Sequence, residues 1–333
     1  IVPLCEVTAR HNRLYATHVR NRDRFYDLGF GEAIATARSS GARLQISHIQ
    51  PKYGAPTHAM EHTLEIISAA RRHGVELAFD VIPHDWAHTL VMAILPRWAL
   101  EGGVDKILER LKDDELRDKM KQNRSPMWLL VADRIWSKIV LLNSRENADL
   151  VGETFEDIGR ARGKDPYDAV LDLLLEEGND MHQLLWTSHA FSESDVELCL
   201  AQSECAVISD TLALAPYGDL ATQLGSLSGY GWTSEFLYRY VKERNVLSLS
   251  EGIRRLTSLP AQRLGLGNRG LVREGFKADI VVFDPNAIRS TWTIQEPRNY
   301  PIGIEHVIVN GRSAISDGQR TENDGGIVLR APL

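Results

Sequence analysis

Tyr15-Ala16-Thr17-His18-Val19-Arg20 and Leu44-Gln45-Ile46-Ser47-His48-Ile49 are the two stretches on which the reading of this chain turns. Each is an apolar or β-branched run carrying a histidine at its end. Between them, Gly31-Glu32-Ala33-Ile34-Ala35-Thr36-Ala37-Arg38 reads as a helix stopped by Gly41. A strand, a helix and a second strand in that order make a parallel βαβ unit. In a βα barrel the C-terminal strand ends point into the mouth where chemistry is done, which makes His18 and His48 neighbours at one rim. Two neutral imidazoles there suit a zinc-type cation, each offering one nitrogen lone pair. Spacing alone leaves two unrelated strand-end histidines equally open.

The alternation continues. A helix is expected from about His58 to His73, stopped by Gly74, and then a strand from Val75 to Ile82 ending at Pro83. From about 95 to 157 the rhythm breaks: charged helical sequence (Lys106 to Lys121) precedes a strand-like run from Trp136 to Leu142. In a barrel this reads as a lid-like insertion. Asp165-Pro166-Tyr167-Asp168 starts a helix by N-cap and Pro-N1 logic. His182 to Ala190 reads as the next strand, Ser192-Glu193-Ser194-Asp195 as a capping box, and Cys205 to Asp210 as a strand polar at its end. A Gly- and Ser-rich loop from Gly218 to Gly231 looks mobile, and helices follow at Ser234 to Arg244 and Ser248 to Leu256. Beyond Leu264, short strands at Ala278–Phe283, His306–Gly311 and Gly326–Leu329 form a small β module, sparse in core.

The expected fold class is α/β. The pattern divides into residues 1–262, part of a (β/α)8 TIM-like barrel, and 263–333, a small β-sandwich-like module. The 333 residues allow ample core, and 43 % apolar with 25 % charged residues is the composition of a globular protein. A net charge of −7 gives no basic footprint for nucleic acid or anionic membrane. No apolar run reaches the roughly 18 residues needed to span a bilayer. Cys5, Cys199 and Cys205 are odd in number and scattered, which argues against a disulfide framework and makes a cytoplasmic location the default expectation. The chain opens Ile1-Val2-Pro3-Leu4 without Met and reads as the C-terminal portion of a longer polypeptide.

Taken together, these residues resemble the amidohydrolase superfamily, specifically its N-acyl-D-amino-acid deacylase (D-aminoacylase) branch. The resemblance is carried by Ala16-Thr17-His18, Ile46-Ser47-His48, Arg162-Gly163-Lys164-Asp165-Pro166 and Thr257-Ser258-Leu259-Pro260-Ala261-Gln262-Arg263-Leu264-Gly265-Leu266. The tail from Arg269-Gly270-Leu271 through Ala278-Asp279-Ile280-Val281-Val282-Phe283-Asp284-Pro285 adds a superfamily-wide pattern. The resemblance implies a metal-dependent hydrolase that cleaves a C–N amide bond other than a peptide bond. In it His18 and His48 are metal ligands, one or two Zn²⁺ ions supply an activated hydroxide, and Asp210 is the acid/base. Read without the resemblance, Asp210 is more simply a turn or cap residue after a strand.

Some of the branch's pattern is missing. The strand-one His-x-His pair and the upstream cysteine ligand would both precede Ile1, so a separate N-terminal chain or segment would have to supply them. Cys5 is expected only to pack. A lysine common two residues past the second histidine is replaced by Gln50, and the branch's Tyr and Ser after the next strand fall at His84 and His88. The His-Pro-Arg loop element is also missing, with Ser228-Gly229-Tyr230-Gly231 near its place. Arg20, Gln50, His84 and His88 are the candidate substrate contacts, although loop or core roles fit both histidines equally. The losses weaken the grip on a free carboxylate. They keep open a cyclic-amide (hydantoinase- or dihydroorotase-like) hydrolase, and a non-catalytic or partner-dependent chain. The expected partner is a small-molecule amide, with no nucleic acid and no membrane, and a homo-oligomer is compatible. His58-Ala59-Met60-Glu61-His62 matches H-x-x-E-H but opens a helix between barrel-like strands, where such residues usually face solvent. Gly265-Leu266-Gly267-Asn268-Arg269-Gly270 follows a helix instead of a strand, which rules out the dinucleotide reading.

Overall fold

The structure, a computed structural model, describes residues 1–123, 128–221, 226–227 and 229–330. Its strands in chain order are β1 (Leu14–Thr17), β2 (Arg43–Ile46), β3 (Leu77–Val81), β4 (Ala87–Leu90), β5 (Val140–Asn143), β6 (Leu185–Ser188), β7 (Cys205–Val207), β8 (Ile280–Phe283), β9 (Ile304–Val309), β10 (Arg312–Ser316) and β11 (Gln319–Arg320). Among the described residues they make three sheets, ordered β1-β2-β3-β7, β4-β6-β5 and β11-β10-β9-β8. The first is parallel throughout, with Leu44 opposite Leu77 and Phe79 opposite Cys205.

Helix Tyr26–Ser40 buries Tyr26, Phe30, Ala33 and Ala37, residues three or four apart and therefore on one face. Gly41 ends it at φ +72°, a conformation that costs glycine little. Helix Ala59–Arg72 repeats the design with Met60, Thr63, Ile67 and Ala70 inside. Both pack over Leu44, Ile46, Leu77, Phe79 and Val81, and each such side chain contributes about 1.5–3 kcal/mol by leaving water. The strand period of two sends Gln45 and Asp80 to the other face of the sheet, where both are nevertheless buried. The chain's first element is helix Val2–Arg10, and Cys5 packs inside it.

The middle of the chain departs from the expected alternation. The strand expected between His182 and Ala190 is β6, and it joins no parallel sheet: it pairs antiparallel with both β4 and β5. The inserted part therefore extends from β4 to β6, beyond the expected limits of 95 and 157. Every β6 residue is buried, and a strand buried on both faces reads like a parallel one. This part has its own core, in which Phe155, Leu171, Leu174 and Trp186 are almost wholly buried. Charged helices Val104–Leu111 and Asp114–Lys121 flank it. Asp165 caps helix Pro166–Glu177 as expected, accepting from the Tyr167 N–H at 2.9 Å. Ser192 does not form the expected capping box, because its hydroxyl is paired with that of Ser194 at 2.6 Å.

Near the C-terminus, helix Trp232–Phe236 runs into a π-helical turn, Leu237–Glu243, before helices Leu249–Leu256 and Ser258–Leu264. The tail is one antiparallel sheet, β8 to β11, instead of two packed sheets. The expected strand at Gly326–Leu329 is not formed, and Ile327 and Val328 are exposed. The loop expected to be mobile, Gly218 to Gly231, falls partly outside the described residues. No helix among the described residues is long and apolar enough to cross a membrane.

Candidate metal centre

The parallel sheet brings its C-terminal ends to one edge. His18 follows β1 directly, His48 stands two residues past β2, and Asp210 three past β7. Nδ1 of His18 lies 2.9 Å from Nε2 of His48, and that nitrogen lies 3.7 Å from Oδ2 of Asp210. His48 and Asp210 have φ of +41° and +49°. A side chain in the left-handed region costs roughly 1–2 kcal/mol per residue, so the surroundings must hold it there. They do so at His48, whose N–H donates to Asp80 Oδ1 at 2.7 Å while Arg22 Nη1 donates to its carbonyl. Asp80 also accepts from Gln45 Nε2 at 2.7 Å. The backbone turn that aims the imidazole is thus tied to a carboxylate inside the sheet.

Burial sets the protonation states. It lowers His18 to about 4 and His48 further still, with Arg22 adding to both shifts. Both rings are therefore neutral at pH 7 and carry lone pairs. Burial raises Asp80 to about 6, against the stabilising N–H donors of His48 and Gln45. It lowers Lys52 to about 7, with Arg22 again contributing.

The pair opens into a cavity of about 510 Å³. The parallel sheet and its loops contribute His18, Arg20, Arg22, Asp23, Lys52 and Asp210 to the lining. The inserted part and the residues that flank it contribute His84, Trp86, His88, Arg97, Trp128 and Phe191. His84 stacks on Trp86 with ring centroids 4.0 Å apart and planes at 11°. Arg20 sits at the rim in an ion pair with Glu32.

Gln50 is a correction: it is 0 % exposed and outside the lining. Its amide donates to the Ile82 carbonyl at 2.7 Å and accepts from the Ile82 N–H at 3.3 Å, tying β2 to β3 beyond their ends. Lys52, two residues further along, does line the cavity. Sequence reasoning missed Lys52, Arg22, Asp80 and Trp128. Asp80 left a signal, a lone carboxylate inside Leu77-Ala78-Phe79-Asp80-Val81; Trp128 left none, because a separate part of the chain delivers it.

A tetrahedral zinc ion with bonds of 2.0–2.1 Å would hold two nitrogens about 3.3 Å apart. The His18–His48 spacing of 2.9 Å is a few tenths less, so the pair fits as two corners of such a site. Among the described residues no three His, Cys, Asp or Glu side chains form a complete cage. His58, Glu61 and His62 make no second centre there either, since His62 Nδ1 is engaged by the Tyr26 hydroxyl at 2.6 Å.

Residues 212–315 match the Amidohydrolase family. The chain is 26 % identical to an N-acyl-D-glutamate deacylase of Alcaligenes xylosoxydans xylosoxydans, over 98 % of its own length and 56 % of that protein. It is 24 % identical to a D-aminoacylase of the same organism, over 99 % of its length and 57 % of the relative. It also superposes on the crystal structure of N-acyl-D-glutamate deacylase from Bordetella bronchiseptica, complexed with zinc and a phosphonate mimic of the reaction's tetrahedral intermediate. That match has a TM-score of 0.71 at 25 % identity and covers 96 % of this chain and 57 % of that one. The chain thus spans a little over half the length of the relatives it matches. These matches bear out the resemblance: over nearly its whole length the chain is similar to amidohydrolases of the D-aminoacylase branch, and it shares their α/β fold.

Proposed function

We propose that this chain carries part of the catalytic centre of a zinc-dependent N-acyl-D-amino-acid deacylase, with its parallel sheet forming part of a (β/α)8 barrel. The observation that carries the reading is the pair of neutral imidazoles facing each other, with a carboxylate beside them at the mouth of a cavity. His18 and His48 would hold the ion. When bound, a zinc-type ion supplies Lewis-acid activation of water and of the amide carbonyl.

The chain's own residues do the rest. Arg22 and Asp80 fix the His48 backbone from both sides, so the imidazole is pre-aimed. Asp210, half exposed on the cavity wall, takes a proton from the attacking water and returns it to the departing amine nitrogen. The aromatic side of the cavity keeps bulk water from the bond being cut.

The test is amide hydrolysis by the zinc-loaded chain across N-acyl-D-amino acids, hydantoins and lactams. The reading expects turnover of the acyl amino acids, lowered about 10²–10⁴-fold by Asp210→Asn. Full turnover by that variant overturns the proton-transfer role, and turnover of the cyclic amides alone overturns the substrate assignment.

A further inference from the structure

Between β8 and β9 the chain leaves the tail sheet as an arm, residues 284–303, bonded to itself along its length. The Asp284 N–H donates to the Gly303 carbonyl at 2.8 Å, and Arg289 and Ile302 exchange backbone bonds at 3.3 and 3.0 Å. The Thr291 hydroxyl donates to the Tyr300 carbonyl at 2.8 Å, and at the tip the Thr293 N–H donates to the Glu296 carbonyl at 3.2 Å. The root is fixed too, since Ile288 is 4 % exposed in the core that holds Phe236 and Leu237. A connection longer than about 12–15 residues between paired strands is usually either functional or disordered, and an arm tied at root, middle and tip is ordered.

The arm touches three parts of the molecule. Trp292 stands edge-on to Trp86, with ring centroids 5.6 Å apart and planes at 73°. Trp86 in turn stacks on His84 at 4.0 Å, and those two rings line the cavity while Trp292 lies outside the lining. Ile294 and Gln295 cover Gly152 of the inserted part, where a Cβ would lie 3.0 Å from Gln295 Nε2. Ser290 donates its hydroxyl to Glu235 and lies against Gly231, where a Cβ would come within 2.9 Å of the serine's own. Gly231 ends the connection that carries Asp210 and precedes helix Trp232–Phe236.

We propose that this arm sets the aromatic wall of the cavity from the C-terminal sheet, with Trp292 as a positioning residue that acts through Trp86 on His84. Close-packed interiors transmit a displacement from one side chain to the next. An edge-on ring pair at this distance is an orienting contact, so a void in place of Trp292 lets Trp86 tilt and takes His84 with it. The ring contacts stand whatever reaction the chain catalyses. Their consequence for turnover rests on the deacylase reading, in which the wall helps to place the substrate.

The experiment is NMR of the full chain labelled at histidine ¹³Cε1, with the His84 signal identified by its loss in His84→Asn. Stacking on Trp86 places that signal upfield of an exposed imidazole. Trp292→Ala should move it more than halfway back toward the exposed position. Trp292→Phe should restore most of the shift, and because the buried Trp292 Nε1 has no partner among the described residues, phenylalanine removes no hydrogen bond. A merely structural role would lower Tm and leave the His84 shift of the folded chain in place, which would overturn the proposal. If Trp292→Ala does not fold, Gly231→Ala decides, since its Cβ presses on Ser290; an unmoved His84 signal there overturns the proposal equally. With the zinc-loaded chain and N-acetyl-D-alanine, Trp292→Ala should raise KM about tenfold and leave kcat within about twofold. A fall in kcat at constant KM would overturn the wall as its route of action. A shifted His84 signal in a chain that hydrolyses no amide would keep the arm's role and lose the deacylase reading.

Discussion

The two sides of the cavity are built on different principles. On the parallel-sheet side the polar groups are largely satisfied: Asp80 accepts from His48 and Gln45, Gln50 spans the Ile82 peptide, and Arg22 holds two carbonyls. On the inserted side the contacts are aromatic, with His84 on Trp86 and Trp128 edge-on to Trp186. The first side spends its hydrogen bonds on holding geometry, which a metal pair needs. The second presents aromatic surface to the same cavity. One cavity is thus walled on one side by a hydrogen-bonded sheet edge and on the other by aromatic rings.

The largest expected effect is Asp80→Ala, which leaves the His48 N–H and the Gln45 amide buried without an acceptor. Urea unfolding should show a loss of about 3–5 kcal/mol, whereas a loss below 1 kcal/mol would mean that this side is not the rigid one. Gln50→Ala should cost about 2–3 kcal/mol through the two Ile82 bonds, read by urea unfolding, and leave zinc affinity unchanged. A loss below 1 kcal/mol would mean that these bonds do not hold the strand ends together. Trp186→Phe removes a donor to the Leu90 carbonyl at 3.2 Å from a side chain that is 0 % exposed. It should cost about 1–2 kcal/mol and leave zinc affinity unchanged; zinc loss would show that the inserted part positions the metal pair.

The smallest effect sharpens the picture on the sheet side. Burial, with Glu61 adding to it, raises Asp195 to about 6. A raised carboxyl favours its neutral form in the fold, so ionisation costs stability as pH rises above its unfolded value of about 3.9, and the full cost is reached above the folded value. Asp195→Asn should raise Tm slightly at pH 8 and leave it unchanged at pH 3. An equal shift at both pH values would remove titration as the cause.

What could be read from the sequence follows how local each determinant is. The βα units were legible because one helix face and one strand alternation suffice, and Gly41 and Asp165 mark their ends within a few residues. The β4-β6 pairing was not legible, since Ala87 meets Ser188 across a long stretch of chain and β6 is buried on both faces. His18, His48 and Asp210 could be found as strand-end residues. Gln50 misled because a position past a strand end does not say whether the side chain turns into the mouth or back under the next strand. Lys52 and Trp128 become partners only when the inserted part folds over the sheet.

Zinc content after equilibrium dialysis of the full chain, compared with His18→Ala and His48→Ala, tests the centre most directly. The expected result is about one ion per chain in the parent and none in either variant. An empty parent, or zinc retained equally by all three, would contradict the assignment of the two imidazoles as ligands.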